Sequence, residues 1–224
     1  MSVLTRSMTL GVLALGLGAA AVSAQDKPRS NASFRWYLGA QGGVYNFQTT
    51  SQTRGWLPSV GGNLMVVARK TGLLLQVDEV LGSDETGVYP DSLAPGGQRT
   101  ASFNDIRRYA AHIFVMPFRW NVEPYFGVGG GIAHAVNVQP LGTAGLAPGE
   151  LDAVYDEAAD RSSFAFLSFL AGVQLRAGPV VVFGQYEGNS APDRGNVFTG
   201  ASHNMKAGVR FNLGRSREDL TDGR

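Results

Sequence analysis

Four of the five residues from Gly127 to Gly131, in the stretch PYFGVGGGIAHAV, are glycine, a density that invites comparison with a phosphate-cradling loop. Such a loop needs a helix behind it and either a Lys-Ser/Thr pair or a later ribose-binding acid, because helix amides hold the phosphates. Here Ile132, Ala133 and His134 follow instead. Gly127, Gly129 and Gly131 recur at every second residue, which is the period of a strand. Hydrolytic chemistry fares no better. Ser202 and His203, with Glu187 as the nearest acid, are the best candidates for a nucleophile, base and acid. Adjacent residues of a strand point to opposite faces, so Ser202 and His203 are badly placed to share a proton. The three histidines, His112, His134 and His203, fall on separate segments, which argues against a metal site. The acidic run GELDAVYDEAADR lacks the Asp/Asn-Gly spacing of a dedicated calcium loop and reads as a solvated loop with one helical turn. No catalytic residue, metal or cofactor is expected.

The elements that carry these residues follow from composition and period. Residues 1–24 hold one charge, Arg6, an apolar run from Leu10 to Val22, and small residues at Val22-Ser23-Ala24. That is the pattern of a secretory signal peptide cleaved after Ala24, and the run is too short for a spanning helix. The remainder carries equal numbers of acidic and basic residues, which gives nucleic-acid binding no electrostatic support. No cysteine is present, excluding disulfides, thiolate chemistry and a lipoprotein anchor. A membrane protein without a spanning helix has to be a closed β-barrel, the other structure that satisfies its own backbone in lipid.

Eight runs alternate apolar and mixed residues between turn signals. They lie near Arg35 to Phe47, near Leu57 to Arg69, from Leu73, from Asp105, through the glycine stretch, from Ser163, from Val180, and up to Leu213. Short joins at 69–72, 119–122 and 177–179 take turns with long ones at about 48–56, 82–104, 137–162 and 188–202. This asymmetry is that of an outer-membrane barrel with short periplasmic turns and long outer loops. Trp36, Trp120 and Phe211 fall at the short-turn end, and Trp56, Tyr109 and Tyr186 nearer the long loops, as two aromatic girdles would require. Glu79 breaks the pattern, because strict alternation turns it toward lipid. It needs either a place at the upper rim or a bulge that re-aims it.

The segments GVQLRAGPVVVFGQYEG, HNMKAGVRFNLG and PYFGVGGGIAHA resemble the small eight-stranded outer-membrane barrels of the OmpA-like and OmpX-like superfamily, over about Phe34 to Gly214. The resemblance implies an all-β, eight-stranded antiparallel up-and-down barrel at 34–214, after a signal peptide (1–24) and a periplasmic segment (25–33). Both termini would be periplasmic, with a polar tail at 215–224. Phe211 and Leu213 resemble the closing-strand signal read by the barrel-assembly machinery, although the polar tail follows them. That tail is too short for a peptidoglycan-binding domain.

An eight-stranded barrel is just wide enough for side chains to fill it. The inward-facing polar set is Gln76, Asp78, Arg108, His112, Gln174, Arg176, Gln185, Glu187, Lys206 and Arg210. Asp78 should meet Arg108, and Glu187 should lie diagonal to Lys206, because charges far from water must pair. The set reads as a structural plug; the sharper alternative is a gate passing a minor ion current, with His112 adding a pH response. The expected protein is a monomeric, non-enzymatic barrel of the cell outer membrane, surrounded by outer-membrane lipid and lipopolysaccharide, with a structural or surface-interaction role. The alternatives are a soluble periplasmic β-barrel that binds a small apolar ligand and, further off, a lipid A-modifying barrel enzyme. The lipid A deacylases' His-x-Ser-Asn pattern is absent here, since Ser202-His203-Asn204 runs in another order.

Overall fold

Strict alternation decides the architecture: from Ile106 to Val115 every second side chain is buried and the ones between are exposed. A strand with one apolar face out and one mixed face in can bury only the inner face, and closing the sheet does this without leaving an edge. The computed structural model describes residues 33–52, 55–82, 84–118 and 120–217. The expected signal peptide and most of the expected terminal segments lie outside these residues.

The elements are β1 (Ser33–Thr49), β2 (Gly55–Ala68), β3 (Thr71–Val80), β4 (Glu85–Pro90), β5 (Gln98–Phe103), β6 (Ile106–Val115), β7 (Val122–Ala135), β8 (Gln139–Pro140), α1 (Pro148–Asp160), β9 (Ser163–Ala177), β10 (Val180–Asn189) and β11 (Phe198–Arg217). Eight of them, β1, β2, β3, β6, β7, β9, β10 and β11, form a closed antiparallel barrel in chain order, sealed by β1 against β11. These are the eight runs expected from period. Sequential neighbours pair because the joins at one end are tight. Ala68 pairs with Thr71 across a turn that holds Arg69 at φ +53°, and Ala177 pairs with Val180 across Gly178 at φ +63°.

The apolar faces point outward. Leu75 is 41% exposed, Ile113 68% and Val128 68%, and Leu73, Val182, Val209 and Phe211 are exposed with them. A soluble barrel around an apolar ligand would turn these residues in. The upper edge of the outward band is a polar row, Glu79, Arg107, His134 and Ser163, paired strand to strand across β3, β6, β7 and β9. Glu79 is therefore a rim residue one place from the end of β3, without a bulge, and Arg107 Nε donates to it at 2.7 Å.

Two long joins differ from their expected form. The segment 82–104 folds into the hairpin β4–β5, extended by β8, and 137–162 carries a 13-residue helix where one turn was expected. Helix α1 starts at Pro148, with Glu150 Oε2 accepting from the Ala147 amide at 3.0 Å. It is seated by Val154 and Ala158, buried one turn apart. The alternating signal of β4 and β5 is short and polar enough to pass for loop, and only packing over the barrel mouth fixes it.

Candidate functional site: the charged belt of the lumen

The inward side chains stack in three layers, which can be read along single strands. On β3, Leu74 is followed by Gln76 and Asp78 and then Val80; on β1, Tyr37 is followed by Gln41 and then Tyr45 and Phe47, all buried. The lower layer packs Tyr37, Met65, Leu74, Phe114, Met116 and Tyr125 beside a polar chain in which Arg210 donates to Gln174 and Gln174 to Glu123. The upper layer is apolar and aromatic, and includes Tyr45, Phe47, Phe103, Phe166 and Phe198. Phe198 packs at 5.2 Å from both Phe103 and Phe164. Burying each such ring contributes about 1.5–3 kcal/mol. Over this layer sit the β4–β5–β8 sheet and α1, with Tyr89 Oη donating to the Val154 carbonyl at 3.5 Å.

Between these layers lies a polar belt. Lys206 Nζ is 2.7 Å from Asp78 Oδ2 and 2.9 Å from Glu187 Oε1, and Arg108 reaches the same two carboxylates at 3.4 Å each. Two acids and two bases thus share four contacts in a closed set. Gln76 donates to Glu187 and accepts from Lys206 and Gln185; Gln41 donates to Asp78. Arg108 also lies over the rings of Tyr45 and Phe166, at 4.8 and 5.1 Å. Arg210 bonds three neutral amide oxygens, those of Asn63, Gln174 and Gln185, and lies 3.5 Å over the ring of Phe183. A planar guanidinium with a fixed fork of donors suits that combination better than an ammonium would.

Nine of the ten polar residues singled out from sequence are buried together in this belt; Arg176 is the tenth. It lies toward the short-turn end, half-buried, and donates to both oxygens of Glu123 at 2.9 and 2.8 Å. Glu123 escaped notice because it sits directly after a turn, although alternation with Tyr125 places it inward. Gln41, Asn63 and Ser168 were likewise missed as members. Arg108 Nε, Ser59 Oγ and both amide atoms of Asn204 are buried without a protein partner, each costing about 1–3 kcal/mol unless water reaches it.

The candidate chemistry of Ser202 and His203 comes apart. Ser202 points inward, accepting from Tyr45 Oη at 2.9 Å and Asn189 Nδ2 at 3.1 Å, while His203 points outward with Nδ1 2.6 Å from Tyr186 Oη. His112 Nε2 is 2.7 Å from Ser168 Oγ, deep in the lumen, and His134 Nδ1 bonds Ser163 on the outer rim. Of the aromatic set, Trp36, Trp56, Tyr109, Trp120 and Phe211 are outward and exposed, and Tyr186 is half-buried between Phe169 and His203. Trp120 stacks on Phe118 at 5.2 Å.

Comparison with solved structures addresses the architecture. Neisserial surface protein A superposes with a TM-score of 0.53 at 13% identity, over 80% of this chain and 97% of that one. The chain has the fold of the small eight-stranded outer-membrane barrels. A major outer membrane protein from Thermus thermophilus is 15% identical over 80% of this chain and 99% of its own, with a TM-score of 0.43. No protein-family model matches the chain, and no curated protein matches it in sequence. In this barrel no helix among the described residues is long and apolar enough to cross a membrane, a fact that leaves crossing by strands open.

Proposed function

We propose that the chain is an integral protein of the bacterial outer membrane, a monomeric barrel with both termini in the periplasm. Its role is structural or surface-interacting. The observation that carries this is the inversion of faces: leucine, valine and phenylalanine outside, with four paired charges inside. Water would expel the outside, and lipid accepts it. The aromatic residues and the polar row from Glu79 to Ser163 fit the two edges of the hydrocarbon layer.

The lumen acts as a plug. A water path would have to cross the aromatic layer above the belt and the hydrogen-bonded chain of Arg210, Gln174, Glu123 and Arg176 below it, so the charges serve to fix the packing of the barrel. The buried position of Ser168 and His112 and the opposed faces of Ser202 and His203 support a non-enzymatic role. The long joins at 82–104 and 137–162 form a folded cap that offers the surface for any outside contact.

Membrane fractionation and gel migration test this. The unboiled chain should migrate differently from the boiled one in detergent and should sediment with outer membranes. Recovery in the soluble periplasm would overturn the assignment.

A further inference from the structure

Most amides inside the barrel are bonded by protein at both ends. Gln41, Asn63, Gln76, Gln174, Gln185 and Asn189 each donate through nitrogen and accept through oxygen. Asn204 differs from them. It is fully buried on β11, yet neither its Nδ2 nor its Oδ1 has a protein partner. Burying a bare amide is unfavourable, and a leucine of similar size would carry no such penalty.

Its neighbours define where a partner sits. Asn204 pairs with Tyr45 on β1 and with Glu187 on β10. Arg108 touches both: its guanidinium lies 4.8 Å over the Tyr45 ring, and its Nη2 is 3.4 Å from Glu187 Oε2. Arg108 Nε is itself buried without a partner. The inward residues next to Asn204 are small, since Ser202 precedes it on β11 and Gly43 lies diagonally across on β1. Ser59, opposite Gly43 on β2, adds another buried, unpartnered hydroxyl. These groups border one corner of the lumen, between the belt and the aromatic layer that includes Tyr45.

We propose that this corner binds a short chain of internal water molecules, one accepting from Asn204 Nδ2 and another donating to Asn204 Oδ1, with Arg108 Nε and Ser59 Oγ as the further protein partners. The nitrogen and oxygen of one amide point apart, so a single water cannot serve both. A buried water needs about two to four polar partners, and this set supplies donors and acceptors together. An ion fits worse. The two acids and two bases of the belt already balance. An anion would face Asn204 Oδ1 and Glu187, and a cation would face Arg108 and Lys206. The site depends on closure of the barrel and not on the membrane assignment.

The test uses the full chain folded in detergent micelles and isotope-labelled at asparagine and arginine nitrogen. Cross-peaks to water should appear at the Asn204 Nδ2 and Arg108 Nε protons, with opposite signs in NOE and ROE spectra, the signature of water held far longer than at a surface. The exposed Asn137 amide is the control for surface water. Asn204→Leu assigns the Asn204 signal by its loss, and it should also weaken the Arg108 cross-peak, because the chain of waters loses its anchor. Absence of a long-lived water at Asn204 in the unsubstituted chain overturns the site, whether or not the variant folds. So does an Arg108 cross-peak that is unchanged in Asn204→Leu. An Asn204 shift that follows chloride or sodium concentration at constant ionic strength would make the ligand an ion and also overturns it. Recovery of the chain from the soluble periplasm would end the membrane assignment and leave this result standing.

Discussion

Lys206 Nζ lies 2.7 Å from Asp78 Oδ2 although their strands, β11 and β3, are separated in the barrel by β1 and β2. The bond spans the lumen and ties together strands that share no backbone ladder. Small inward neighbours make the span short: a Cβ at Gly43 would fall 2.8 Å from Lys206 Cα, and one at Gly61 would fall 2.5 Å from Asp78 Oδ1.

Removing the lysine should therefore be costly. Lys206→Met leaves Asp78 and Glu187 to share Arg108 alone, and breaking a buried pair from one side costs about 3–5 kcal/mol. The midpoint of urea unfolding in detergent should fall accordingly. Adding Asp78→Asn to Lys206→Met should recover part of the loss, because the uncompensated carboxylate is gone. A double variant less stable than the single one would contradict the pairing.

Conductance separates plug from gate. The intact barrel in planar bilayers should give no resolved current steps, and Lys206→Ala should give none either, because the aromatic layer of Phe47, Phe103 and Phe198 still lies above the belt. Steps appearing in Lys206→Ala would show that the charges themselves hold the path shut.

The glycines of β7 should divide sharply from Gly184 on β10, which nothing crowds. In Gly129→Ala the new methyl would meet the Ala111 carbonyl oxygen at 2.0 Å, so β7 must move off β6. A loss at or beyond the upper end of the usual overpacking range, about 1–3 kcal/mol, is expected. Gly184→Ala, with nothing within 4 Å, should be neutral within experimental error. Thermal loss of the fast-migrating form on unboiled gels reads both; equal losses would remove the distinction.

The cap carries a pH dependence of definite sign. Burial pushes the Asp91 carboxyl up, but the Arg99 guanidinium, which hydrogen-bonds it, and the Leu93 amide at 2.8 Å bring it below its ordinary value. A depressed carboxylate adds stability above its unfolded pKa, and this is lost as pH falls through the folded value. Hydrogen exchange in β4 and β5 should accelerate below about pH 4 beyond the intrinsic trend. Asp91→Asn should flatten that response and weaken the cap at neutral pH. Tyr89, with its hydroxyl pushed up to about 12 by burial and then by Asp91, should keep its proton through ordinary alkaline conditions.

The sequence alone determined the eight barrel strands, their faces and the order of short and long joins. Each of these is local: side chains alternate because the backbone is pleated, and tight turns force neighbours in sequence to pair. Alternation likewise sent Gln76, Asp78, His112 and Arg210 inward, and period two exposed the glycine stretch as a strand. Tertiary structure decided the rest. Which acid meets which base depends on closure of β1 against β11, which brings Lys206 across to Asp78 and puts Glu187 between Lys206 and Arg108. The glycines at Gly129 and Gly131 are required by the approach of β6 carbonyls, a contact between strands that no single strand encodes. The cap is similar, since β4, β5, β8 and α1 are short or weakly patterned and hold their form by burying Tyr89, Val154 and Ala158. Periodicity fixes which way a side chain points, and only closure fixes what it finds there.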